Sequence, residues 1–129
     1  MNIKRKEPPN FQEIKLNLPI TENSVFCYGD TIYTLSKEPI PEDIIEHEQI
    51  HSKQQGNDAA DWWQTYLKDS NFRLEQELEA YVYQYKYAKE KHGSAAAKMC
   101  LEELAQNLAK CYNIEVDYHK AHSLIRHAI

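Results

Sequence analysis

No run of apolar residues in this chain approaches the roughly 20 needed to cross a bilayer. The basic residues near the N-terminus are not followed by an apolar segment, so no secretory signal is read and a cytoplasmic protein is expected. Clustered basic surface is also missing. The formal net charge is -5, and the one basic cluster is Lys4, Arg5 and Lys6, read as an unpacked solubilising tip. Nucleic acid and membrane are therefore not expected as partners, since phosphate binding needs grouped cations. Internal repeats and low-complexity tracts are absent. Cysteine is sparse and odd in number: Cys27, Cys100 and Cys111 have neither the count nor the spacing of a disulfide framework or a cysteine zinc site. Cys100 and Cys111 fall on one expected helix, about 16 Å apart along its axis, too far to bond. All three read as small apolar residues of a reduced protein.

What remains fits one domain. The chain has 129 residues, 42% of them hydrophobic and 27% charged with the signs mixed, enough for one modest core. Residues 1–10, ending in Glu7-Pro8-Pro9-Asn10, read as a flexible lead-in, and residues 11–129 as a single domain. From Phe11 the apolar residues Phe11, Ile14, Leu16, Leu18 and Ile20 alternate with polar ones. Val25 to Tyr28 and Thr31 to Leu35 are rich in β-formers about a Gly29-Asp30 turn, so an antiparallel sheet of two or three strands is expected. Pro41 followed by Glu42 and Asp43 starts a helix that should run to Gln55 and stop at Gly56. Further helices are expected over 58–68, 72–91 and 95–111, with a short last one through Ala121, Leu124 and Ile125. The class is α+β: a small N-terminal antiparallel sheet and a body of about four helices.

The chemistry is concentrated in His47-Glu48-Gln49-Ile50-His51 on the first of these helices. At 100° per residue the two histidines lie about 40° apart, one turn above the other. Imidazoles so placed can hold one zinc from the same face. Glu48 is rotated by about 100° and reaches past the metal, where a base acting on water is needed. Gln54 continues the ligand stripe and is placed to orient a ligand or substrate. A catalytic zinc takes three protein ligands and leaves one position open, so a third must come from elsewhere. His92, His119, His122 and His127 remain, together with Glu75, Glu77 and Glu79. On a helical wheel, Glu77 borders the apolar face made by Leu74, Leu78, Tyr81, Val82, Tyr85 and Ala88. Glu75 sits on the opposite border, and Glu79 points largely away. Glu77 is the preferred ligand; Glu75 and Glu79 stay open.

His47-Glu48-Gln49-Ile50-His51 resembles the HExxH helix of the zincin metallopeptidases, and Glu77-Leu78-Glu79-Ala80-Tyr81 is similar to the downstream glutamate helix of the gluzincin branch. Ala80 fits the small residue of that pattern. Tyr81 stands where an aspartate supporting a ligand histidine is usual, so that support must come from another residue, with Asp43 and Glu79 the candidates. The metzincin branch is excluded because no histidine follows soon after His51. The likeness extends over about residues 25–129 to small single-domain zinc peptidase-like proteins of bacteria and phages. It implies one zinc per chain on His47, His51 and Glu77, Glu48 as general base, and a peptide or protein substrate. Thr31 to Leu35 is the strand expected to bind that substrate by strand addition. Tyr118, His119 and His122 are oxyanion donors by residue type alone. Of the neighbouring Trp62 and Trp63, one is expected in the core and the other partly exposed. Two further readings follow from the same residues: a zinc-binding but non-catalytic regulatory or phage-assembly protein, and an interaction module whose aromatic helix docks a partner.

Overall fold

A computed structural model describes all residues, 1–129. β1 (Asn2–Lys4) is followed by α1 (Phe11–Asn17), then β2 (Val25–Tyr28) and β3 (Thr31–Thr34). Five helices complete the chain: α2 (Glu42–Gln55), α3 (Ala59–Lys68), α4 (Ser70–His92), α5 (Ser94–Lys110) and α6 (Tyr118–Ala128). The class is α+β as read from sequence, with six helices rather than about four.

Two features of the N-terminal third differ from expectation. The alternating stretch from Phe11 is a helix. Seven residues cannot separate a period of 2 from a period of 3.6, and Gln12, Glu13 and Lys15 are good helix formers. Helical winding buries Phe11 and Ile14 on one face and leaves Leu16 85% exposed on the other. The sheet, for its part, is mixed. β2 and β3 form the expected hairpin about Gly29, which holds φ 65, while β1 lies parallel to β3 on its other side. The order β1-β3-β2 makes β3 the central strand. Both its edges are paired, so substrate addition along Thr31 to Leu35 is ruled out. The lead-in thus contains a strand. Its basic cluster is exposed as expected, but one member is tied down: the Arg5 guanidinium donates to the carbonyls of Ser36 (2.6 Å) and Glu38 (2.7 Å).

The helix boundaries follow ordinary capping chemistry. Asp58, Asp69 and Asp117 accept hydrogen bonds from the first free amides of α3, α4 and α6. Gly56 and Gly93, both at positive φ, end α2 and α4. No helix is long and apolar enough to cross a membrane.

Two apolar clusters make the core. One joins α1, β2 and α3 through Phe11, Ile14, Phe26, Trp62, Trp63, Tyr66 and Leu67. The other joins α4, α5 and α6 through Tyr81, Leu101, Leu104, Ala105, Leu108, Ala121 and Ile125. Both tryptophans are 6% exposed, against the expectation that one would be partly solvated. Each ring nitrogen has an acceptor, Gln76 Oε1 for Trp62 and the Cys27 carbonyl for Trp63, so burial leaves no polar group unsatisfied. Tyr112, after α5, packs against both clusters. The buried Arg73 fixes it there. Its guanidinium donates to the carbonyls of Tyr66, Tyr112 and Asn113, tying the end of α3 to the turn before α6. α2 packs against α4 on one side and β2 on the other, which sets its histidine stripe along the seam between the clusters.

Candidate metal centre

α2 carries His47, Glu48 and His51, all at most 6% exposed. α4 packs along this face, meeting His47 with Glu77, Tyr81 and Gln84. On α4, Glu77, Tyr81, Gln84 and Ala88 recur at i, i+4, i+7 and i+11 and so form one stripe. Glu77 is 2% exposed and points between the two histidines. Glu75 and Glu79 are exposed, and neither joins the cluster. His92, His119 and His127 are exposed, and with His122 lie outside the cluster as well.

The donor atoms of His47, His51 and Glu77 all lie within 4.8 Å of one another. His47 Nε2 is 3.1 Å from Glu77 Oε1, His51 Nε2 is 3.1 Å from Glu77 Oε2, and the two Nε2 atoms are 3.2 Å apart. Ligand atoms held at about 2.0–2.1 Å by a tetrahedral ion stand about 3.3 Å apart, so the spacing suits such an ion.

The surrounding amides determine which nitrogen of each ring faces the centre. Gln84 directs its Nε2 to Asp43 Oδ2 (2.7 Å), which can only accept. Its Oε1 therefore faces His47 Nδ1 (3.0 Å), and that nitrogen must carry the proton. On the other ring, Gln54 gives its Nε2 to the Gln76 carbonyl and to Glu79 Oε1, leaving its Oε1 for His51 Nδ1 (2.8 Å). Both rings are thus held with the Nε2 lone pair turned inward, toward a carboxylate. Two lone pairs and an anion converging in a buried space require a positive charge among them. Without a metal, a proton supplies it. Burial opposes the charged ring, but the Glu77 carboxylate beside it and the hydrogen bonds the ring donates to Glu77 and Gln54 raise His51 to about 9. Burial likewise works against Glu77 as an anion, yet the two histidines hold it well below the usual carboxylate range. The buried His47, His51 and Glu77 form a triad that could hold a metal ion.

The carboxylate missing at Tyr81 is supplied indirectly, by Asp43 through Gln84 and by Glu79 through Gln54. Tyr81 itself packs its ring edge-on against His47, with centroids 4.5 Å apart. Tyr66 donates to Glu77 Oε2 at 2.6 Å, which orients the carboxylate and occupies one lone pair. Sequence reasoning offers Trp62 to Tyr66 as a segment that could line a groove, and Trp62, Trp63 and Tyr66 do border the cavity beside this centre. It does not connect Tyr66 to Glu77, and it misses Gln84 and Arg73. The i+7 spacing of Glu77 and Gln84 was a usable signal; Tyr66 and Arg73 become visible only once α3 and α4 pack. Tyr66→Phe should weaken metal binding roughly 10- to 100-fold while leaving one ion per chain at saturation, read by competition with a chromogenic chelator. Unchanged affinity would mean that the Tyr66 hydroxyl serves only the fold.

Glu48 lies beside this cluster and is 4% exposed. Unlike the other buried carboxylate, it has no hydrogen-bond partner within the protein. Burial pushes its carboxyl above the usual range; the two histidines oppose the shift, and Glu77 adds to it. Glu48, His47, His51 and Glu77 all border one cavity of about 350 Å³. Its walls are β2 with the preceding segment, the aromatic face of α3, and the side of α5 ending at Tyr112. Tyr118, His119 and His122 are not among its walls, whereas Tyr81 and Tyr112 are, with their hydroxyls hydrogen-bonded to each other. The cysteines are free, and all three border the cavity.

No family model, no curated protein and no solved structure matches this chain.

Proposed function

We propose that this chain is a zinc-dependent metallopeptidase, with zinc on His47, His51 and Glu77 and Glu48 as the general base. The observation that carries the reading is a buried carboxylate without a partner, Glu48, facing the same cavity as three converging donors. A site built only to hold the fold together would close the fourth position with a protein ligand and would have no use for a desolvated base beside it.

Two neutral imidazoles and one carboxylate suit zinc. When bound, the metal supplies Lewis acidity that makes water more acidic and polarises a carbonyl. The protein does the rest. Glu48, its carboxyl raised above the usual range by burial, takes a proton from water as the water oxygen attacks the scissile carbonyl carbon. It then hands that proton to the amine as the C–N bond breaks. Tyr81 and Tyr112 share one hydrogen bond between two hydroxyls, so one O–H is left over for the oxyanion of the tetrahedral intermediate. β2 replaces β3 as the edge strand beside the cavity. Its Cys27 carbonyl is already taken by Gln55 and Trp63, so an extended substrate would pair at Val25.

Zinc-loaded protein incubated with a complex peptide mixture should generate new termini detectable by mass spectrometry. Cleavage should stop with a chelator and return with one equivalent of zinc. A protein that holds one zinc per chain yet produces no new termini would support the regulatory or assembly reading instead.

A further inference from the structure

Arg73 is the one buried side chain of fixed charge that the chemistry above leaves unused. It is 5% exposed and has no carboxylate partner, since the ion pairs of the fold are those of Glu77 with the histidines. Taking a guanidinium out of water is costly unless hydrogen bonds replace the water. Here three main-chain carbonyls do so, those of Tyr66 (2.6 Å), Tyr112 (2.6 Å) and Asn113 (3.1 Å). Its planar fork lets one side chain reach all three. The two residues gripped most closely are both phenols that border the cavity. The Tyr66 hydroxyl donates to Glu77, and Tyr112 shares a hydrogen bond with Tyr81, whose ring packs against His47.

Tyr112 lies between α5 and α6, in no helix or strand, so no ladder of main-chain bonds fixes it. The next residue, Asn113, is the only non-glycine residue at positive φ, 53. That conformation is costly for most residues and persists where the surroundings determine it. Arg73 holds the Asn113 carbonyl, and the Asn113 amide donates to the Asn17 carbonyl at the end of α1 (3.0 Å). The turn is thus fixed from two sides, and the side chain it delivers to the cavity is that of Tyr112.

We infer that Arg73 and Asn113 form a clamp that positions the two phenols of the site. Arg73 seats Tyr66 on the carboxylate of Glu77, and the two together hold Tyr112 beside Tyr81, where one hydroxyl is free for an oxyanion. This rests on the proposed zinc peptidase reading and names the residues that position its phenols. Neither is a metal ligand or borders the cavity, so both are positioning residues.

The test is a double-mutant cycle on zinc affinity, read by chelator competition for wild type, Arg73→Lys, Tyr66→Phe and the double variant, with circular dichroism to verify the fold. Lysine keeps the charge but cannot fork to three carbonyls. Arg73→Lys should weaken zinc binding about tenfold in the wild-type background and less than about twofold beside Tyr66→Phe, because the hydroxyl it acts through is then gone. Equal losses in both backgrounds would overturn the link and leave Arg73 a purely structural residue. Asn113 is exposed and supplies a second pair of variants that spares the core. In zinc-loaded protein, Asn113→Gly keeps the left-handed turn and should bind acetohydroxamate within about twofold of wild type. Asn113→Val disfavours that turn and should bind it about tenfold more weakly, with zinc affinity unchanged. Wild-type acetohydroxamate affinity in Asn113→Val would overturn the positioning of Tyr112. If Arg73→Lys does not fold, the Asn113 pair decides the proposal alone. Wild-type protein that binds no zinc would remove the metal centre and the clamp's role with it; zinc binding with neither loss would remove the clamp's role alone.

Discussion

Glu77→Ala is expected to abolish stoichiometric zinc binding and to lower the melting temperature of the metal-free protein, whereas Glu79→Ala keeps one zinc per chain. The two glutamates are two residues apart on α4, but their surroundings are opposite. Glu77 is 2% exposed and touches both histidines and Tyr66. Removing it takes away one of three donors and leaves a phenol and two imidazoles facing a buried void. Losing one member of such a buried set costs about 3 kcal/mol. Glu79 is exposed and reaches the centre only through Gln54. Its removal loosens the seating of His51, and the affinity falls without loss of stoichiometry. Elemental analysis of untagged wild type and both variants, followed by thermal melts of the metal-free forms, reads both effects. Zinc retained by Glu77→Ala would move the third ligand elsewhere.

Glu48→Gln should bind zinc with unchanged stoichiometry and lose turnover by roughly 10²- to 10⁴-fold. The amide is nearly isosteric and cannot accept the proton. Stability separates this outcome from general damage. Because burial penalises the charged form of Glu48, the folded state works against an ionised carboxylate there. A neutral amide removes that opposition, so the melting temperature should hold or rise. Peptide cleavage by Glu48→Gln at the wild-type rate would refute its role as base. Lost activity with a falling melting temperature would point to structural damage instead.

The sequence made α2 and its chemistry readable because a helix has a fixed period. Histidines at i and i+4 must share a face, and a proline followed by two acidic residues starts a helix almost wherever it occurs. Glu77 was separable from its neighbours for the same reason, since position on the wheel distinguishes a border residue from an outward one. The stretch around α1 admits two periods: Phe11, Ile14 and Leu18 fit a helical face, Ile14, Leu16 and Leu18 fit an alternating strand, and nothing longer arbitrates. The parallel pairing of β1 with β3 joins segments almost thirty residues apart, at Asn2 and Thr31, and no local pattern encodes that. Tyr66 and Arg73 act through contacts between elements, so their roles follow from packing rather than from spacing. Tyr112 entered the site for a similar reason, carried there by a guanidinium on another helix.

The ligands come from two helices with a third between them. His51 and Glu77 bracket all of α3, so an ion on both would fasten the ends of that stretch as a covalent staple does. Its effect would fall mainly on the chain's freedom when unfolded. Trp62, Trp63 and Tyr66, which wall the cavity, lie inside the fastened loop. Metal occupancy and the shape of the cavity wall would therefore be one variable: an ion on this triad would also hold rigid the aromatic surface of the cavity beside it.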